Sequence, residues 1–165
     1  MVGISEAERV HAAQAVIYAL LCQAGTDVLP AGLPRFLSAV AKRTGYRFYR
    51  LGHGRHREAF DIRHPDPDID LGLVLKVGNK TSNNIERDYT KKFPEDWAKI
   101  YAAFDYGVVS ERASVLDSVA DPRIDTPEFQ VRLEKLRERY IPVVSSDMGY
   151  IGDRIVLVGS HIRLK

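Results

Sequence analysis

Two glycines separated by one residue, Gly52 and Gly54, lie in the segment YRLGHGRHREAFDIRH, which is rich in residues that favour β-strands. Glycine here either allows a hairpin turn or lets backbone amides approach and hold a phosphate. Lys76 follows within the apolar run LVLKV, and Glu86 follows within NNIERDY. A strand-borne lysine can contact phosphate, and a carboxylate on a neighbouring helix can hold that lysine in place. The four residues predict a phosphate clamp, with a plain hairpin as the alternative for the glycines.

The role and the partner of Lys76 have alternatives. A lysine on an edge strand can serve only to discourage pairing with other chains. Because Lys76 lies within an apolar run, we favour a partly buried lysine that is paired with a carboxylate. Glu86 is the expected partner, while Glu58 or Asp61 could take that place from a neighbouring strand.

The periodicity of the sequence indicates the elements that must position these residues. The segments YRFYRLG, EAFDIRH and LGLVLKVG predict three antiparallel strands between Tyr46 and Val77. The proline-rich segment HPDPDID joins the last two strands as a turn. Next, SNNIERDYTKK predicts a helix over 82–91, capped by Ser82 or Asn83 and packed against the sheet.

Further helices and strands flank this region. The spacing of Ser5 and Glu8 is that of a capping box and predicts a first helix, and a second helix should end at Gly45. Pro94 is expected to begin a helical segment, PEDWAKIYA, and AAFDYGVVS and ASVLDSVA are expected to form strands. GYIGDRIVLVG predicts a hairpin that turns at Gly152. A clear helix is predicted over 126–140, with an apolar stripe formed by Phe129, Leu133, Leu136 and Tyr140.

The composition describes an ordinary globular chain of 165 residues with 24 basic and 22 acidic side chains, a net charge of +2. This near balance argues against nucleic-acid binding as the main function. The single cysteine, Cys22, falls in an apolar helical pattern and is expected to be a buried residue of a reducing compartment. No apolar run approaches the length that spans a membrane, so we expect a cytoplasmic protein without membrane contact.

The motifs LGHGRHREAF, VLK and NNIE, followed by the hairpin segment GDRIVLV, resemble the small lobe of the protein-kinase-like fold. They are most similar to the short, degenerate kinase-like proteins of phages and mobile elements. The resemblance implies an α+β fold, an antiparallel sheet with packed helices plus a much reduced C-terminal helix and hairpin. One kinase-like domain would cover residues 1–165: a helical extension over 1–45, the small-lobe-like part over 46–120 and the reduced part over 121–165.

The same resemblance assigns roles to individual residues. It implies that Gly52, Gly54, Lys76 and Glu86 bind nucleotide and that Asp147 lies where a catalytic base would lie.

Departures from the kinase pattern remove groups that catalysis needs. Arg57 stands at the third glycine position, and Gly159 stands where the resemblance expects a metal-binding aspartate. No asparagine follows Asn84 to supply a second metal ligand. A phosphoryl-transfer enzyme without its metal ligands lacks most of its electrostatic catalysis. We therefore expect a protein that does not catalyse phosphoryl transfer and needs no cofactor.

The expected function is that of a catalytically inactive kinase-like protein, encoded by a phage or mobile element, that binds a host protein and modulates or inhibits it. The partner is expected to meet the basic hairpin, the exposed helix over 126–140, or both, and Arg55 and Arg57, placed at the exposed tip of the hairpin, are the expected protein contacts.

Three alternatives stay open at this point. The first is a reduced kinase that uses ATP as its cofactor together with Lys76, Glu86 and Asp147. The second, weaker one is nucleic-acid binding through the arginine-rich hairpin. The third is a metal site, but the spacing of the candidate ligands fits no closed zinc frame, and we expect no metal. These candidates are His53, His56, His64, Asp66 and Asp68.

Overall fold

A computed structural model describes residues 2–24, 36–53, 56–116, 120–159 and 161–165 of the chain. The chain divides into two compact units. The first unit is formed by residues 1–88 and 99–112, and the second by residues 89–98 and 113–165. The described elements confirm an α+β protein.

The first unit is built on a five-stranded antiparallel sheet in the order β2–β3–β5–β7–β6, and a parallel pair of short strands, β1 and β4, lies beside it. Three helices also begin among the described residues of this unit. In chain order the elements are β1 (Val2–Gly3), α1 (Glu6–Ala24), α2 (Leu37–Thr44), β2 (Arg47–His53), β3 (Arg57–Arg63), β4 (Ile69–Asp70), β5 (Leu73–Gly78), α3 (Lys80–Lys92), β6 (Ile100–Phe104) and β7 (Gly107–Glu111).

The core of the first unit lies between one face of this sheet and the helices α1 and α2. Ala13, Val16 and Leu20 of α1 are buried against strand residues such as Ile62 and Leu75. Because side chains alternate along a strand, every second residue of β3 and β5 points away from this core. Asp61 and Lys76 therefore lie on the opposite face of the sheet, and that face carries most of the sheet's charged groups.

The start of α1 and the end of α2 lie at the residues that the sequence predicts. The Ser5 hydroxyl accepts a hydrogen bond from the Glu8 amide at 3.2 Å and caps α1. Helix α2 ends at Gly45, which adopts a left-handed conformation with φ of +82° that glycine enters without strain.

The second unit packs α4 (Pro127–Arg139) against small antiparallel sheets formed by β8 (Ser114–Val115), β9 (Tyr140–Ile141), β10 (Met148–Ile151), β11 (Arg154–Leu157) and β12 (Arg163–Leu164). Strands β10 and β11 form the predicted hairpin, with Gly152 in the turn at φ of +62°. The Thr126 hydroxyl accepts from the Phe129 amide and starts α4 where the sequence predicted. The predicted stripe is buried, with Phe129, Leu133 and Leu136 on α4 and Tyr140 at the start of β9.

A buried carboxylate organises this second core. Asp96 accepts hydrogen bonds from Arg132 at 2.9 Å, from Arg139 at 2.6 Å and from the Tyr140 hydroxyl at 2.8 Å. The indole N–H of Trp97 donates in turn to the Tyr140 hydroxyl at 3.1 Å. The network ties the segment around Asp96 to the end of α4.

One prediction about local structure is wrong, a second is wrong only in where the helix begins and in its cap, and a third is confirmed only for the start of its segment. PEDWAKIYA is not a helix: a short 3-10 turn at Pro94–Asp96 is followed by β6, because pairing with β7 outweighs the helical start signal. The helix predicted over 82–91 begins earlier, at Lys80, because the Asn79 side chain accepts from the Ser82 amide and acts as the cap. ASVLDSVA contributes only β8, and residues 117–119 lie outside the described part.

Cys22 is exposed and not buried as predicted. The buried face of α1 runs through Ala13, Val16 and Leu20, and a residue two positions after Leu20 points about 200° away from it. In the described part of the chain, no helix has the length and apolar character needed to cross a membrane.

Candidate functional site

A buried ion cluster forms where the sheet of the first unit meets α3. Oε1 of Glu86 lies 2.9 Å from the ammonium of Lys76 and 3.1 Å from a guanidinium nitrogen of Arg57. The side chains of Glu86 and Arg57 are each 6% exposed, and that of Lys76 is 15% exposed. The predicted pairing of Lys76 with Glu86 is confirmed, and Arg57 is a third member that the sequence did not indicate.

Two alternative partners for Lys76 have other contacts. Glu58 pairs with Arg50 across the hairpin at 3.6 Å, and Asp61 is held by Arg63 and Arg112 at 3.0 and 2.7 Å.

Strand alternation and helix periodicity together assemble the cluster. Arg57 lies on the same face of β3 as Ala59, and Ala59 is the direct neighbour of Lys76 across the β3–β5 pair. Asn83 and Glu86 are three residues apart on α3, so both point to the same side of the helix. This side meets the charged face of the sheet.

Asn83 fixes the position of this helix relative to the strands. Its carbonyl oxygen accepts from Arg57 at 3.3 Å, and its amide nitrogen donates to the backbone carbonyl of Asp105 at 3.0 Å. The residue is fully buried. Sequence reasoning missed it because an asparagine near a helix start is usually a cap.

The charges in the cluster determine its protonation. Burial alone would raise the pKa of Glu86, but Lys76 and Arg57 outweigh it and lower that pKa to about 2. Burial, together with the nearby charge of Arg57, lowers the pKa of Lys76, and Glu86 partly offsets this effect. Two cations share one anion, so the cluster carries one net positive charge when all three groups are ionised. An ammonium has three N–H donors, so such a group can also hold an anionic oxygen.

The predicted glycine loop is a hairpin between β2 and β3, as expected. Gly52 is a strand residue opposite Ala59, just after a bulge, and a Cβ atom at this position would meet no atom within 4 Å. Gly54 lies outside the described residues. The hairpin is thus present, and phosphate contact by its glycines stays a prediction.

Arg57 is not at an exposed tip, and this part of the sequence prediction is wrong. It begins β3, and its side chain turns toward α3 because the buried carboxylate of Glu86 lies there. Arg55 lies outside the described residues. Arg50 and Arg63 pair with carboxylates of the same hairpin, so part of the positive charge of the arginine-rich hairpin is neutralised internally.

Asp147 lies in the second unit and is bound into the local fold. Its side chain is 6% exposed. Oδ2 accepts from the Val144 amide at 2.9 Å, and Oδ1 lies 3.2 Å from the imidazole of His161. A Cβ atom at Gly159 would lie only 2.7 Å from Oδ1, so glycine at this position makes room for the carboxylate. Neither His161 nor this close approach has a local signal in the sequence.

Three of the residues considered as metal ligands, His64, Asp66 and Asp68, form a turn, and His56 lies apart from them, just before β3. Nδ1 of His64 accepts from the Asp66 amide, and Oδ1 of Asp66 accepts from the Asp68 amide, each at 2.9 Å. The side chain of His53 lies outside the described part. Among the residues that are described, no group of three or more potential ligands has the arrangement of a metal site.

Comparison with protein-family models and with curated proteins found no match for this chain.

Proposed function

We propose that the protein is a catalytically inactive, kinase-like binding protein, of phage or mobile-element type, that modulates or inhibits a host protein. The proposal that the protein is catalytically inactive rests on the burial and the contacts of Asp147. A general base needs a carboxylate oxygen that a substrate proton can reach. Here one oxygen binds the Val144 amide, the other faces His161, and the side chain is almost completely buried. These contacts suit a structural carboxylate better than a base.

The kinase-like part of the proposal is supported by the Lys76–Glu86 pair. A strand-borne lysine and a helix-borne glutamate meet at 2.9 Å next to a glycine-containing hairpin, as the resemblance leads one to expect. The additional contact of Glu86 with Arg57 gives this pair a structural purpose that needs no nucleotide, because it links β3, β5 and α3. The pair can thus be retained in a protein that has lost catalysis.

For the surface that contacts the host protein we propose α4 and not the hairpin tip, because Arg57 is buried. Val131 of α4 is 57% exposed, and Pro127 and Lys135 lie beside it along an open groove of about 520 Å³ that Ile155 of β11 also lines. Exposed apolar residues rimmed by polar and charged side chains are typical of protein contact surfaces. We assign the host-protein contact to this side of α4.

The alternative is a reduced ATP-dependent kinase, and one observation favours it. The Lys76–Glu86 geometry is intact, and the surplus positive charge of the cluster suits a phosphate group.

Turnover of ATP in the presence of magnesium distinguishes the two proposals. We expect no turnover above background for the natural protein and no difference on Asp147→Ala. Magnesium-dependent turnover that Asp147→Ala abolishes would establish the kinase alternative and end the proposal of inactivity.

The proposed contact surface is tested separately with a lysate of the host cells. We expect a partner that the natural protein captures and that Val131→Glu no longer captures. Val115→Glu is the matched control, because Val115 is also an exposed valine of the second unit, at 45%, but lies on β8. Capture that Val131→Glu leaves unchanged would remove α4 from the proposal.

A further inference from the structure

A second candidate site lies in the first unit, on the charged face of its sheet. A cavity of about 620 Å³ is lined by Arg47 and Tyr49 of β2, by Asp61 and Arg63 of β3, and by Arg112 after β7, among others. This volume falls in the range of small-molecule sites. None of the residues of the Lys76–Glu86 cluster lines it.

The floor of the cavity is a closed network of charges. Arg112 donates to Asp61 at 2.7 Å and to both oxygens of Asp70 at 2.8 and 3.0 Å. The second oxygen of Asp61 accepts from Arg63 at 3.0 Å. Each carboxylate oxygen already faces a guanidinium, so the acidic residues of the cavity do not form a cation site.

The walls offer more hydrogen-bond donors than acceptors. Arg47 is exposed and forms no ion pair with any residue that the structure describes. Arg63 uses Nε for Asp61, which leaves its terminal N–H groups available, and its guanidinium lies 4.0 Å from the ring centre of Tyr49. Nδ1 of His64 accepts from the Asp66 amide, which leaves Nε2 as the ring nitrogen that can donate a hydrogen bond. Among the described residues that line the cavity, three arginines against two aspartates leave a net charge of +1.

The remaining walls are apolar or aromatic. Pro65, Pro67 and Ile69 line the cavity beside Tyr49, whose side chain is exposed. A donor-rich rim next to such walls is complementary to a molecule that has an anionic head and an apolar body.

We propose that this cavity binds a small organic anion. Arg47 and Arg63 hold its oxygen-rich head group, a carboxylate or a phosphate, and its flat apolar body lies against Tyr49 and Pro67. Arginine suits either head group because its planar fork pairs with two oxygens at once. The site is independent of the proposed kinase-like function, since it shares no residue with the cluster around Glu86.

Calorimetric titration of the full chain with phenyl phosphate and with benzoate tests this proposal. We expect saturable binding of at least one of them, with a Kd of about 0.1–1 mM for a ligand of this size. The stronger ligand identifies the head group as phosphate or carboxylate. Benzylamine, which has the same ring and a positive charge, should not bind.

Two variants locate the binding. Arg47→Ala should weaken binding of the preferred anion at least tenfold, while a thermal melt stays unchanged because this side chain is exposed and has no ion pair among the described residues. Arg50→Ala is the matched control, because Arg50 lies on the opposite face of β2, away from the cavity, and this variant should bind like the natural protein. Equal binding of benzylamine, unchanged affinity in Arg47→Ala, or no saturable binding of either anion would each overturn the proposal.

Discussion

Replacing Glu86 by glutamine should destabilise the protein strongly. The change keeps the size of the side chain but removes the anion that lies within 3.1 Å of two buried cations. Removing one partner of a buried ion pair usually costs about 3–5 kcal/mol, because a buried charge remains uncompensated. The lowering of the Glu86 pKa from 4.5 to about 2 corresponds to about 3 kcal/mol of interaction, in agreement with that range. We expect a loss of about 3–5 kcal/mol in the free energy of unfolding.

The assay is urea unfolding followed by circular dichroism, combined with amide hydrogen exchange of β3 and β5 to locate the loss in the first unit. Glu58→Gln is the matched control, because Glu58 also pairs with an arginine but is 36% exposed. An exposed pair contributes at most about 1 kcal/mol. If Glu86→Gln costs no more than Glu58→Gln, the two cations are not held by Glu86 and the proposed role of the cluster is wrong.

Three other changes follow from the same structure. The natural protein should lose about 3 kcal/mol of stability as the pH falls from about 4.5 to 2. Glu86 has a lower pKa in the folded state than in the unfolded state, so stability is lost as Glu86 becomes protonated. Urea midpoints measured across this range would show the loss. Asp96→Asn should cost about 2–3 kcal/mol and alter the fluorescence of Trp97, whose hydrogen-bond network depends on that carboxylate. Gly159→Ala should cost about 1–3 kcal/mol in thermal or urea unfolding, because its Cβ atom overlaps Asp147.

Each of these expectations has a control. Glu86→Gln should show a flatter acid profile than the natural protein, and an identical profile would assign the acid transition to other groups. Glu95→Gln should cost much less than Asp96→Asn, since Glu95 is 60% exposed. Gly52→Ala should be nearly neutral, because a Cβ atom there meets nothing within 4 Å. If Gly159→Ala is equally neutral, Asp147 moves freely and is not fixed by its surroundings.

Local patterns in the sequence predicted most of the fold. The three strands between Tyr46 and Val77 follow from alternation and turn residues, and α1 and α4 follow from caps and apolar stripes. The segment after Pro94 was predicted wrongly because its strand state depends on pairing with β7, which no local propensity encodes.

The candidate site was predictable only in part. Lys76 and Glu86 are ten residues apart on adjacent elements, so their meeting follows from one strand and one helix. The burial of Arg57 depends on Glu86, 29 residues away, and the contact of Asp147 with His161 depends on how the β10–β11 hairpin returns. Such contacts between distant segments have no periodic signal.

The close approach of Gly159 to Asp147 also limits which substitutions position 159 can accept. A single base change can turn a glycine codon into an aspartate codon, so the metal-binding residue that the kinase resemblance expects there is genetically close. Aspartate at position 159 would nevertheless place its Cβ atom 2.7 Å from Oδ1 of Asp147 and bring a second carboxylate next to the first. Asp147 would first have to leave the Val144 amide and His161. A metal-binding aspartate at this position would therefore require further substitutions around Asp147, and the first change alone would weaken the fold.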